Sequence, residues 1–209
     1  MTTLIKQRYF WLILGLVLGI LAFILFRAAA AKNPYTHYHA NFAVYIDGQA
    51  EKFDGPGYYE EVTACSVHNA DDLKSRAHMH ANVNHTVHVH DTGVSWGDFF
   101  NNIGYTVGST VLSDGVRTYL DGQDSKHLSF MLNGKPVSNL ADTVIKSEDV
   151  LLINFGDDSD QALQQHFAEI PRDAHHYNVT KDPAACSGGE VFDWKARLKA
   201  AIGSDMVMH

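Results

Sequence analysis

The stretch HMHANVNHTVHVHD, residues 78–91, constrains the fold more tightly than any other part of the chain. In an extended strand, side chains at i and i+2 share a face and neighbours alternate between faces. HTVHVHD therefore reads as a strand with Val87 and Val89 on one face and His88 and His90 on the other. HYHANFAVYID at 37–47 alternates too, with Phe42, Val44 and Ile46 pointing one way and Ala43, Tyr45 and Asp47 the other. The chain thus carries three His-x-His pairs, His37/His39, His78/His80 and His88/His90.

Two imidazoles about 6.6 Å apart along a strand can lean together onto one ion at about 2.0–2.1 Å each, with further ligands from a neighbouring strand. One such pair is weak evidence, because a polar strand face produces the same pattern. Three pairs among 13 histidines are more telling, and His85 sits beside the third, with His68 upstream. If 37–46 pairs with 85–90, the pairs lie side by side and six imidazoles converge, enough for one closed four-coordinate site or two partial ones. The candidate ligands are His37, His39, His78, His80, His85, His88 and His90. Protonated, such a group repels itself, and neutral it needs hydrogen-bond partners; a metal answers both demands. Imidazole donors suit zinc, copper or nickel and not magnesium or calcium, and copper or zinc is the expected ion. Met79, Met206 and Met208 offer thioethers for Cu(I), although Met79 points away from a face holding His78 and His80. His166, His175 and His176 read as surface residues, and His127 as packing at a strand start.

The N-terminus carries a different constraint. Tyr9–Phe26 is eighteen residues without a charge, flanked by Lys6, Arg8 and Arg27. That length suits a single-pass signal anchor, and AAAA at 28–31 keeps a cleavable signal peptide open. Either way the remainder is exported, with the basic N-terminus on the cytoplasmic side and the rest extracytoplasmic at the cell membrane. Beyond residue 33 the chain has all 24 acidic residues against 12 basic ones, a formal charge of −12. Such a surface repels nucleic acid and attracts cations. Cys65 and Cys186, in an oxidising compartment, are expected to form a disulfide; free thiols or soft metal ligands are the alternatives. There is no C-x-x-C and hence no basis for a thioredoxin-like role.

The expected fold class is α+β: a β-grasp-like mixed sheet packed on one main helix, preceded by a transmembrane helix and followed by helical C-terminal segments. Asp47-Gly48 and Asn133-Gly134 signal hairpins. Ser95 as N-cap, the stripe Trp96, Phe99, Phe100 and Ile103, and Gly104 at the end predict the main helix. VLLINF at 150–155 predicts a buried last strand, and DQALQQHFAEI a helix stopped by Pro171; the stretch after Pro171 reads as a loop leading to a C-terminal amphipathic helix. Three parts are expected: 1–33, anchor and linker; 34–158, the His-rich domain; and 159–209, a helical, cysteine-containing extension.

FMLNGKPVSNLADTVIKSEDVLLINFG resembles the end of a ubiquitin-like sulfur carrier, without the terminal Gly-Gly, so that likeness implies shape and no activity. HYHANFAVYIDGQ, the H-M-H segment, VHVHDTGVSWGDFFNNIG, FMLNGKPV and VLLINFGDDSDQALQQHF followed by a cysteine resemble a family of membrane-tethered, His-rich exported proteins of small-genome bacteria and archaea. The family has no established activity, so the resemblance implies architecture and location.

Two functions fit these residues. One is a membrane-anchored protein for capture, buffering or delivery of copper or zinc. The other is a cell-surface module whose hairpins bind a protein partner and whose histidines are polar surface. Asp91, Glu60 and Glu61 are near enough in sequence to serve a catalytic metal, but no nucleophile–base pattern, P-loop or zincin motif accompanies them.

Overall fold

The structure, a computed structural model, describes residues 2–30, 36–59, 73–80, 83–180 and 194–202. Helix α1 (Thr2–Ala30) contains the apolar segment Gln7–Ala30. At 1.5 Å per residue these 24 residues reach about 36 Å, enough to cross a hydrocarbon core of about 30 Å. The helix could anchor the chain in a membrane, and a signal sequence has the same character. Trp11, Phe23 and Phe26 are all more than half exposed, as lipid-facing side chains are. The last helix, α6 (Trp194–Ile202), lies beside α1, and Arg197 Nη1 donates to the Ala29 carbonyl at 3.3 Å. These two helices form one compact unit, and the elements between them form another.

The second unit is α+β, built on a mixed sheet. Its strands are β1 (Tyr38–Ile46), β2 (Gln49–Ala50), β3 (Ala77–His80), β4 (Val83–Val89), β8 (His127–Leu132), β9 (Lys135–Pro136) and β10 (Val150–Gly156). The order across the sheet is β3-β4-β1-β10-β8-β9, and β2 pairs with the end of β1. β1 and β10 are parallel, and the other pairs are antiparallel. β5 (Thr106–Val107), β6 (Val111–Ser113) and β7 (Thr118–Leu120) form a separate small sheet. The hairpins turn where expected. Asp47-Gly48 and Asn133-Gly134 each place both residues at positive φ, which matches the right-handed twist of the flanking strands.

Strand alternation divides the sheet into two chemically different faces. Ala40, Phe42, Val44, Val87, Val89, Ala77, Met79, Leu151 and Ile153 form one face and pack on α3 (Trp96–Asn102). Helix α3 starts with a capping box: Ser95 accepts from the Asp98 N–H, and the Asp98 carboxylate accepts from the Ser95 N–H. Its Trp96, Phe99 and Phe100 are fully buried, and Phe99 stands edge-on to Phe42 at 5.0 Å. Burial of each such side chain contributes about 1.5–3 kcal/mol. The opposite face carries Tyr45, Met131, Val150 and Leu152, covered by Phe167 of α4 (Asp160–Glu169) and by Ile170.

Of the stretch 159–209, α4 and a short helix α5 (Ala174–Val179) belong with the sheet, whereas α6 belongs with α1. α5 occupies part of the stretch after Pro171 that reads as loop in sequence. Its six residues carry no long apolar stripe, and its position depends on hydrogen bonds to the sheet.

At Gly97 helix α3 lies close against the backbone of Ala141. A Cβ there would stand 2.7 Å from the Ala141 carbonyl oxygen, a backbone atom that cannot swing away. Gly97→Ala is therefore expected to destabilise the unit by about 1–3 kcal/mol in urea unfolding, opposite in sign to the gain in helix propensity. A neutral or stabilising result would contradict this packing.

Candidate metal centre

The face opposite α3 is where the histidines gather. β4 lies between β1 and β3, with His88 directly across from His39 on one side and from His78 on the other. This register, together with the two-residue repeat, places His37 and His39, His88 and His90, and His78 and His80 on three adjacent strand segments of one face. Met79 points to the apolar face and is fully buried among the α3 contacts, so its thioether is not part of the cluster. His37, His39, His78, His80 and His88 are each less than a tenth exposed, and His90 is half-buried.

Within this group His37, His39 and His88 bring one ring nitrogen each within 4.8 Å of one another. His39 Nε2 and His88 Nδ1 are 2.9 Å apart. The proton positions follow from the network. Asn178 Oδ1, on α5, accepts from the His39 backbone N–H at 2.9 Å and from His39 Nδ1 at 2.8 Å. The Asn178 amide nitrogen donates to Ser147 Oγ, which fixes the orientation of the amide. His39 is thus protonated at Nδ1 and presents its Nε2 lone pair to His88. Across the sheet, His78 Nδ1 donates to the Lys74 carbonyl at 3.0 Å, so its Nε2 carries the lone pair. Holding one ring nitrogen on a carbonyl oxygen so that the other can bind is the arrangement found around metal-ligating histidines.

Burial pushes the His88 imidazole well below its usual pKa, and the neighbouring His39, His80, His78 and His37 push it in the same direction. His88 is therefore neutral, as a metal ligand must be.

His85 does not join the cluster. Its Nε2 bonds Asp173 Oδ2 at 2.7 Å, and Asp173 Oδ1 accepts from Asn41 Nδ2 at 2.7 Å and Thr86 Oγ1 at 3.1 Å. Burial alone would raise the Asp173 pKa, but the bonds from His85, Asn41 and Thr86 outweigh it and hold the carboxyl below the ordinary range. Asn41 Oδ1 in turn accepts from the Ala174 N–H, so α5 is fastened to the sheet at its start by Asn41 and at its end by Asn178.

No family model, curated protein or solved structure matches this chain.

Asp91 pairs with Arg76 at 2.8 Å and is half-exposed. Glu60, Glu61, His68, Cys65, Cys186, Met206, Met208 and His209 lie outside the described residues, and the expected disulfide with them. Of the histidines expected at the surface, His175 is exposed and bonds Glu148, whereas His166 stacks on Tyr45 at 4.0 Å and is mostly covered. Asn178, Asn41, Thr86 and Asp173 are the site residues that sequence reading missed. Asn41 alone carried a signal, a polar residue continuing the i, i+2 row of His37 and His39.

The His88 shift makes stability depend on pH. Above about 6.5 neither the folded nor the unfolded chain protonates this ring, and its contribution is complete. As pH falls below 6.5 the unfolded chain takes up a proton that the folded one refuses, and stability drops by about 1.4 kcal/mol per pH unit for one such group until the folded pKa is reached. For the metal-free protein, the urea midpoint should be lower at pH 5.5 than at pH 7.5, with a shallower dependence in His88→Asn. An unchanged midpoint would mean that the imidazole is not held neutral.

Proposed function

We propose that this chain is a membrane-tethered, extracytoplasmic metal-binding protein that captures and holds a zinc or copper ion through His37, His39 and His88. The observation that carries the reading is the buried triad itself, three imidazole nitrogens within 4.8 Å, one of them oriented in advance by Asn178. Three nitrogen donors meet three of the four positions of a tetrahedral ion, and a set made only of imidazoles favours Zn(II) or Cu(II) over Cu(I). Burial of the ligands favours retention, so buffering or slow delivery fits better than rapid exchange. Release would require α5, which holds His39 through Asn178, to loosen.

Four further features support the reading. Helix α1 is long enough to be a single-pass anchor, with Lys6 and Arg8 on its cytoplasmic flank. The −12 charge beyond residue 33 raises the local concentration of cations without selecting among them. The sheet order, with the first strand at the centre and parallel to the last, suits the β-grasp-like arrangement, which brings β4 and β3 together on one side of β1. The resemblance to tethered, His-rich exported proteins agrees with the location.

The test is metal content and affinity of the full-length protein, purified in detergent without a His tag and titrated with Zn(II) and Cu(II). Tight stoichiometric binding, abolished in the His37→Ala/His39→Ala/His88→Ala variant with its circular dichroism retained, is expected. Asn178→Ala should keep the ligands but lower affinity about 10–100-fold, because His39 loses its fixed orientation. Wild-type binding no tighter than that of the triple variant would overturn the proposal and turn the search to a protein partner at the cell surface.

A further inference from the structure

The ring geometry around His88 is repeated on its two sides. Towards β1, the ring centroids are 4.7 Å apart for His37–His39, 4.2 Å for His39–His88 and 6.1 Å for His37–His88. Towards β3, the corresponding distances are 4.9 Å for His78–His80, 4.2 Å for His80–His88 and 6.0 Å for His78–His88. The edge-to-face contacts match as well, at 80° for His39–His88 and 87° for His80–His88. The two sides reach this geometry differently. On β1 the residue directly across from His88 is His39, whereas on β3 it is His78, and a register shift between His78 and His80 accompanies the approach of the His80 ring to His88.

A second observation comes from the hydrogen bonds. The locks on Nδ1 of His39 and of His78 come from different elements, α5 and the carbonyl of Lys74 in α2 (Leu73–Arg76). They leave an Nε2 donor on each side of His88. A single ion has no use for two such preparations on opposite sides of one ring, and six imidazoles exceed the four that a tetrahedral ion takes.

Resting on the metal-binding reading above, we propose that the sheet holds a second zinc or copper ion, bound by His78, His80 and His88, and that His88 is the ligand common to both ions. His88 Nδ1, which faces His39, binds the first ion, and Nε2 binds the second. In the metal-free form the His88 proton lies on Nδ1, donated to His39 Nε2. Binding of the first ion at Nδ1 moves it by way of solvent to Nε2. It passes to solvent as the second bond forms, leaving a bridging imidazolate whose negative charge lies between the two cations. Among the described residues only the first triad already has its nitrogens gathered within 4.8 Å. With His78 held on Lys74, it is the His80 imidazole that would turn about χ2, a soft torsion, to bring the β3-side nitrogens together, the backbone register unchanged. His90 is stacked between His37, at 4.6 Å, and His78, at 4.9 Å, and walls both positions on one edge.

The test counts ions on the full-length protein in detergent, loaded with Zn(II) or Cu(II), by native mass spectrometry and elemental analysis. Two ions per chain are expected, falling to one in His78→Ala/His80→Ala and to one in His37→Ala/His39→Ala. In the copper form, exchange through the shared imidazolate should bring the integrated electron paramagnetic resonance signal well below two spins per chain. One ion in the wild type, or two retained in His78→Ala/His80→Ala, would overturn the second site. Two ions with a full two-spin signal would overturn the shared ligand. No ion in the wild type would instead overturn the metal-binding reading itself. If a double variant fails to fold, the wild-type count and the copper spectrum still decide.

Discussion

The contact of His39 with His88 across β1 and β4 is the point on which the rest of this structure turns. It exists because two strands pair in one register, and that register sorts every neighbouring side chain onto a face. A shift by one residue would carry Phe42 and Val87 out of the α3 core and put imidazoles in their place. The aromatic core under α3 and the histidine face are thus two consequences of one constraint. The core is the side that supplies free energy: Phe42, Phe99 and Phe100 pack as a buried aromatic group, and the capping box starts the helix at the point where they meet the sheet.

The histidine face pulls the other way. Buried imidazoles lose solvation, and a charge on any one of them raises the cost of a charge on the next. The fold manages this by keeping His88 neutral and by giving His39 and His78 carbonyl oxygens for one nitrogen each. An ion held by the rings would place a positive charge against the lone pairs that ligate it. A ligand that bound these rings only in the folded chain would stabilise it by an amount that grows with the logarithm of ligand concentration over Kd.

α5 ties this chemistry to the rest of the unit. It is short, and besides the buried Ala174 and the Tyr177 ring packed 5.7 Å from that of His39 it is fastened by Asn41 at one end and Asn178 at the other. The same hydrogen bonds that seat the helix orient a candidate ligand. A change in α5 is therefore felt at His39.

The strands, their faces and both hairpins were legible in the sequence because they depend on local periodicity and turn chemistry. His88 beside Val87 and Val89, Asp47-Gly48, Asn133-Gly134, and Ser95 ahead of Trp96 each act over a few residues. The anchor helix was legible for the same reason, as an uninterrupted apolar run. The tertiary structure alone decided which histidines share a centre. His85 lies only three residues from His88, yet Asp173, 88 residues away, takes its nitrogen. His39 is oriented by Asn178, 139 residues away, and nothing in the local pattern of either residue foretells that bond. Periodicity says which face a side chain occupies, but the proton on an imidazole is set by whatever the remote chain brings within about 3 Å of it.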